Sequence, residues 1–439
     1  MIVTRAPSEP FTLVQKTLKA MLLQEYPHDT WLADEDPTDE IMNWCKENGV
    51  QVCSRKGIPE YNRSTWPRRT KCKEGNLAWF YDTYGYENYD IVVQLDADHV
   101  PTKSYLYEML KPFTRDSIGY VSAPSICDVN ASTSWAARGR LHAEAIMHGP
   151  LQAGYTYYYA PLCIGSHYAV RTKALKQAGG LGPELAEDHS TTLLLNASSW
   201  KGIHAIDAIA HGDGPQTLKD MLVQEFQWSR SLAILLVTLL PQKWSSIPWK
   251  MKIQFLFSEL WFSIFSITML IGFLLPIVTI LTNTPMVNVD FIDFVLHALP
   301  VTYSIFLAVY FLKIKQILRP SYSPFLSWEM ALFQLVRWPW NLYGSFMGLV
   351  VGIMGKTPPF LVTVKGKKVK GILEPGILYT FAFLILCTFV PFFIENKNSA
   401  VDGYYFFLIM NLCIYCLVTA LVLGLQIVES SKLNKIASE

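Results

Sequence analysis

The order of apolar and polar positions divides the chain into two unequal patterns. Over residues 1–250, short apolar runs alternate with helical periodicity. Runs at Ile2–Thr4, Trp31–Ala33, Val50–Cys53, Ile91–Leu95, Tyr120–Ser122 and Ile203–Ile206 predict strands. Helical spacing near 11–24, 38–48, 73–84, 103–112, 132–148 and 216–240 predicts helices between them. Strands alternating with helices predict an α/β domain, with a mostly parallel sheet covered by helices.

Residues 251–439 are apolar and aromatic, with charges confined to short loops. Leu260 to Leu281 runs without a charge, long enough for a bilayer core that needs about 20 residues. Further spans are predicted near 294–312, 376–394 and 404–428. The stretch near 327–354 holds Arg337, Pro339, Asn341 and three tryptophans, which predicts a helix lying in the interface. Loop charges orient the spans. The 282–292 loop has no Lys or Arg and the 395–403 loop has only Lys397. Lys313, Lys315 and Arg319 follow the second span, Lys365, Lys367, Lys368 and Lys370 precede the third, and Lys432 and Lys435 lie in the tail. The positive-inside rule then puts residues 1–250, the 313–375 connection and the C-terminus in the cytoplasm. A plasma-membrane location is expected. The opening "MIVTRAPSEP" reads as a strand and a turn, not as a signal peptide.

Charge and cysteine content narrow the picture. A net charge of +1 supplies no field for nucleic acid. The eight cysteines show no paired framework and suit a reducing compartment.

Candidate chemistry lies where strands end. "VVQLDADHVP" ends an apolar run with Asp96 and Asp98, and Pro101 stops the strand. Ligands bind at that edge of an open α/β sheet. Two carboxylates at i and i+2 point the same way and fit a hard cation, Mg²⁺ or Mn²⁺; a polar turn that caps the next helix fits equally well. "LADEDPTDE" offers Asp34 after the second strand, and "ELAEDHSTTLLL" puts Glu187 and Asp188 before a helical run. Each alone also fits a helix cap.

Together these motifs form an order: Asp34, then Asp96/Asp98, then Glu187/Asp188, then a Gln/Trp segment. That order resembles the processive family 2 glycosyltransferases, the group of cellulose, chitin and hyaluronan synthases. "DADHVPT" and "KEGNL" (Lys73 to Leu77) are similar to the cellulose synthase catalytic subunit. So are "CIGSHYAVRTKAL", which contains Cys163 and Gly165, and "PFLVTVKGKK", which resembles the FxVTxKG gating loop near 357–371. There are three departures. TED appears as Ala186-Glu187-Asp188. QxxRW appears as Gln224-Glu225-Phe226-Gln227-Trp228, with Arg230 three residues beyond Gln227 on the same helix. The membrane helices usually found before the catalytic domain, and the C-terminal regulatory domain, are missing. The missing helices leave open a chain without that anchor or one that starts late.

The resemblance implies a GT-A-type nucleotide-sugar-binding domain over 1–250 and an α-helical transmembrane region over 251–439. It implies a UDP-sugar donor, UDP-glucose first, and a polysaccharide acceptor crossing a lipid membrane. Asp188 is then the general base, with Glu187 beside it. Asp96 and Asp98 hold the metal. Asp34, Lys73, Asp96, Arg230, Thr363 and Lys365 meet the nucleotide. Gln224, Gln227, Trp228, Cys163 and Gly165 meet the acceptor. One base acting by direct displacement inverts the anomeric centre and makes a β-linked product. UDP-N-acetylglucosamine with a chitin- or hyaluronan-like product is an alternative, and so is a catalytically impaired sugar-nucleotide-binding relative. A pure transporter would not need the soluble domain.

Overall fold

A computed structural model describes all residues except 166, 184–185, 356–372, 395–397 and 437–439, with backbone alone over 432–436. Thr363 and Lys365, and with them the gating-loop reading, fall outside the described residues. Ten strands follow in chain order: β1 (Ile2–Arg5), β2 (Trp31–Asp34), β3 (Gln51–Cys53), β4 (Ile91–Leu95), β5 (Val100–Pro101), β6 (Ile118–Ser122), β7 (Ser125–Ile126), β8 (Tyr168–Arg171), β9 (Lys201–His204) and β10 (Ala210–His211). The helices of this region are α1 (Phe11–Leu22), α2 (Asp39–Glu47), α3 (Lys73–Phe80), α4 (Tyr105–Leu110), α5 (Trp135–Ala143), α6 (Gln152–Tyr158), α7 (Thr172–Ala178), α8 (Glu187–Ala197) and α9 (Leu218–Val237).

Seven strands form one sheet in the order β3-β2-β1-β4-β8-β6-β9. All neighbours are parallel except β8, which runs antiparallel to β4 and β6. The period of two sorts the side chains onto two faces. Val3, Leu32, Val93 and Leu95 pack with Val14, Leu18 and Met21 of α1. Ile2, Trp31, Ala33 and Val92 pack with Leu77 and Phe80 of α3 on the other side. Both faces are covered, so the strands read as continuous apolar runs. The chain passes from β1 outward through β2 to β3, then returns to place β4 on β1's free side. The ends of β2 and β4 thereby flank a crevice of the kind that binds ligands in such sheets. Three short strands, β5-β10-β7, form a small second sheet beyond it.

The structure departs from the sequence expectation in the short strands β5, β7 and β10, in β6, which begins two residues early, and in two further strands. The strand expected at 203–206 lies at Lys201–His204, two residues earlier. The central strand β8 was not expected, because its four residues show no alternation: Tyr168, Ala169 and Val170 are all fully buried.

Among the described residues, four helices are long and apolar enough to cross a membrane: Trp249–Thr282, Phe291–Ile314, Pro375–Phe393 and Ser399–Ser431. The first two are α10 (Trp249–Thr282) and α11 (Phe291–Ile314). The next helix, α12 (Trp328–Ile353), is not among the four. It lies along α9, and glycines set the distance. A Cβ on Gly344 would come 2.5 Å from the Phe226 carbonyl oxygen, and one on Gly348 would come 2.4 Å from that of Arg230. Only hydrogen fits there, as in other closely approaching helix pairs.

Candidate active site

The approach to α3 is built around Arg55, a fully buried guanidinium. It pairs with Glu35 and donates to the carbonyls of Tyr61, Arg69 and Cys72, at 2.7, 2.6 and 3.0 Å. Asn76 Nδ2 donates to the Ala33 carbonyl, 2.7 Å away, tying α3 to β2. Lys73, the first residue of α3, is thereby aimed at the end of β4. Its Nζ lies 3.3 Å from Asp96 Oδ1 and 3.4 Å from Glu187 Oε1. Burial opposes the ammonium charge, but Asp96, Glu187 and Asp188 outweigh it and raise the lysine's pKa. Burial likewise opposes the Asp96 charge, and Lys73, helped by the nearby imidazoles of His167 and His99, pulls its pKa far below the usual range.

Asp98 is buried, with Oδ1 3.2 Å from His99 Nδ1. Burial works against a charged His99, yet Asp98 holds its pKa up at about 10. His167 stands edge-on to His99, ring centres 3.9 Å apart. It is fully buried, and among the described residues neither ring nitrogen has a hydrogen-bond partner. Gly165, at φ +64°, turns the chain just before it, and a Cβ there would sit 3.0 Å from His167 Nδ1.

Glu187 and Asp188 open α8. Glu187 is fixed from two sides, by Lys73 and by the Tyr168 hydroxyl, which donates to Oε2 across 3.0 Å. Asp188 Oδ1 accepts from the His189 amide at 2.7 Å. Burial first, and the neighbouring Glu187 second, push the Asp188 carboxyl up to about 8. Thr192 Oγ1 donates to the Asp188 carbonyl and accepts from the Cys163 amide, both at 2.9 Å, so Cys163 braces this turn. His189 reaches out to α10, with Nε2 3.5 Å from Glu259 Oε1.

Asp188 also lines a cavity of about 490 Å³ between this domain and helices α9, α10 and α12. Trp228, Trp261, Phe257 and Phe262 give it aromatic walls, and Cys163 and Gly165 border it. Arg140 Nη1 donates to Gln224 Oε1 at 2.6 Å, and its guanidinium lies 4.1 Å over the Trp228 ring.

The sequence-predicted residues therefore fall into groups. Lys73, Asp96, Glu187 and Asp188 come together. Asp98 is beside them in sequence and paired with His99. Trp228, Cys163 and Gly165 line the cavity with Asp188, and Gln224 reaches it through Arg140. Gln227 is buried, and Arg230 is turned to Phe226, its guanidinium 5.4 Å from that ring. Asp34 is fully buried at the end of β2, with both oxygens held by Arg5 Nη1 at 3.0 and 2.9 Å. Sequence reasoning missed Arg5, Arg55, Tyr168 and Arg140. Arg5 and Tyr168 sit at strand ends facing acids, a signal that was readable. Arg140 lies in "AARGRLHAE" and gives no sign of what it meets.

Two carboxylates at a strand end fit Mg²⁺ or Mn²⁺, which bind through one or two carboxylates and take other ligands from water and phosphates. Among the described residues no group of three or more His, Cys, Asp or Glu could hold a metal ion, so an ion on Asp96 and Asp98 would need its other ligands from water and phosphate.

The sequence profile of glycosyl transferase family group 2 matches residues 91–309, which include Asp96, Asp98, Asp188 and Trp228. A cellulose synthase catalytic subunit [UDP-forming] of Xanthomonas axonopodis pv. citri is 25% identical over 239 residues, covering 52% of this chain and 30% of that protein. The corresponding subunit of Pseudomonas fluorescens is 23% identical over 257 residues, covering 56% and 32%. The match thus spans about a third of the length of these relatives. Among solved structures, S. aureus TarS 1–349 in complex with UDP-GlcNAc is 15% identical, with a TM-score of 0.36 over 54% of this chain and 66% of that one. Glucosyl-3-phosphoglycerate synthase from Mycobacterium tuberculosis, in complex with Mn²⁺, UDP and glucosyl-3-phosphoglycerate, is 16% identical, with a TM-score of 0.34 over 56% and 79%.

Residues 91–309 carry a glycosyl transferase family group 2 domain, and the chain joins a mostly parallel sheet to helices long and apolar enough to cross a membrane. The chain is similar to the catalytic subunits of cellulose synthases.

Proposed function

We propose that this chain is a membrane-embedded inverting glycosyltransferase. It transfers a hexose from a UDP-sugar, UDP-glucose first, to the end of a growing β-linked polysaccharide, and its helical region passes the product across the membrane. One observation carries the reading: Asp188 stands where the Lys73–Asp96 crevice meets the aromatic-walled cavity. A carboxyl there can take the proton of an acceptor hydroxyl presented from the cavity, while the donor's diphosphate lies toward Lys73. A raised pKa suits a base that works near neutral pH. Glu187, held by Lys73 and Tyr168, lies beside Asp188 and helps to raise that carboxyl's pKa.

Lys73 turns its ammonium from Asp96 and Glu187 to the incoming diphosphate. Asp96 and Asp98 would hold Mg²⁺ or Mn²⁺. When bound, such a cation neutralises the charge that develops on the departing diphosphate. Asp34, with Arg5, shapes the β2 end of the crevice for the nucleoside. Trp228 offers a ring face to the terminal acceptor sugar, and Gln224 and Gln227 support that wall. On this reading the catalytic domain lies in the cytoplasm, the side that the lysine-rich flanks of the spans favour, at the plasma membrane.

The test is release of UDP from a panel of UDP-sugars by the purified protein with Mg²⁺ or Mn²⁺. The reading requires turnover with at least one hexose donor, lost in Asp188→Asn. A protein that binds UDP yet releases none from any donor is a sugar-nucleotide-binding relative instead.

A further inference from the structure

The wall of the 490 Å³ cavity carries two buried or half-buried guanidinium groups, Arg140 and Arg337. Each faces a carboxylate that also lines the cavity. Arg140 Nε lies 3.0 Å from Glu144 Oε1. Arg337 Nη1 lies 3.1 Å from Glu225 Oε2, and both of those side chains are nearly inaccessible. The remaining guanidinium contacts are polar but neutral or aromatic. Arg140 meets Gln224 and Trp228, and Arg337 meets Gln334 at 2.7 Å and the rings of Phe265 and Phe333. His148 is likewise directed at Glu144, 3.5 Å away.

We propose that these two cancelled pairs, Arg140–Glu144 and Arg337–Glu225, make the cavity select an uncharged acceptor glycan and reject one bearing carboxylates. The inference rests on the reading above only in taking the cavity as the acceptor's seat. Recognition of a carboxylate needs a cation with hydrogen-bonding capacity to spare. In this wall each arginine already faces a carboxylate, so a uronate entering it loses its water and must compete with Glu144 or Glu225 for a cation. It also stands against the carboxylates of Glu144 and Glu225, which accept hydrogen bonds but cannot donate them. Juxtaposed like charge in a confined space discriminates strongly between otherwise similar ligands. A neutral sugar ring suffers neither loss. It stacks on aromatic faces, and its hydroxyls exchange hydrogen bonds with Gln, Arg and Glu.

The experiment is direct binding of oligosaccharides to the full chain in detergent, by calorimetry at fixed ionic strength. The probes are β-linked hexamers of glucose, of N-acetylglucosamine, and of alternating glucuronate and N-acetylglucosamine. The expected result is a neutral hexamer bound at least about tenfold more tightly than the uronate one. Glu144→Gln, which uncovers Arg140, narrows that ratio by about tenfold. Equal or tighter uronate binding by the parent protein overturns the proposal, as does an unchanged ratio in a Glu144→Gln protein that folds and binds UDP. No binding of any hexamer overturns it too, since the cavity is then no acceptor site. Where Glu144→Gln does not fold, the parent's ratio alone decides. Failure of the enzymatic reading shows separately, as absence of UDP release with the binding ratio intact.

Discussion

Lys73 Nζ lies 3.3 Å from Asp96 Oδ1, so the strand-end carboxylate and the first residue of α3 form one electrostatic unit before any ligand arrives. On the proposed function this ammonium is the diphosphate's protein-borne cation. Lys73→Met should weaken UDP binding by about 10–100-fold, the worth of one charge-assisted hydrogen bond. Titration of UDP by calorimetry reads this. An affinity within threefold of the parent would assign Lys73 to holding Asp96 and Glu187 apart and nothing more.

Asp188→Asn should lower sugar transfer by about 10²–10⁴-fold, the usual weight of a general base, and leave UDP affinity close to the parent's. Loss of both together would mark Asp188 as part of the nucleotide site.

The raised Asp188 pKa has a definite pH signature. Only the deprotonated carboxylate acts as base, so kcat/KM should climb with pH through an apparent pKa near 8. Stability runs the other way. The folded state holds this proton more tightly than the unfolded chain, so the contribution is full below the ordinary value of 3.8 and is lost as pH rises towards 8. In Asp188→Asn the acidic limb of the rate profile should vanish, and the melting temperature should fall less between pH 5 and pH 8 than in the parent. A rate profile with the same limb in a residually active variant would assign the limb to another group.

The paired carboxylates make a prediction about metal. Asp96→Asn and Asp98→Asn should each weaken UDP binding in the presence of Mn²⁺ and change it little without the ion. Identical metal dependence in parent and variants would return the pair to a structural part at the end of β4.

Much of this was legible in the chain, and the reasons for the rest are physical. Ile91–Leu95 followed by two acids and Pro101 marks a strand end without reference to anything distant, and the strand is found there. The strand β8 was hidden because Tyr168, Ala169 and Val170 are buried alike, so period-two alternation is lost. Glu187 and Asp188 could be seen at a helix start. That Tyr168 and Lys73 secure the first and leave the second facing a cavity depends on contacts between elements far apart in sequence. Arg140 shows the limit most clearly. It sits 84 residues before Gln224 and meets it only because α5 and α9 pack together.

The close approach of α9 and α12 is testable through a single hydrogen atom. Gly348→Ala places a methyl group 2.4 Å from the Arg230 carbonyl oxygen, a backbone atom that cannot turn aside. The helices must separate, at a cost of about 1–3 kcal/mol. Thermal unfolding in detergent should show a lowered midpoint, and Trp228 fluorescence should shift as the cavity wall moves. An unchanged midpoint would show that the two helices are not held at this spacing.

The central claim is that this chain builds a β-linked polymer by inversion. The most direct measurement is linkage analysis of the product made from an α-linked, radiolabelled UDP-hexose by the protein in lipid vesicles. Inversion at a single base predicts a labelled polymer degraded by a β-specific hydrolase and resistant to an α-specific one. An α-linked product, or transfer to one small acceptor with no chain growth, would contradict it.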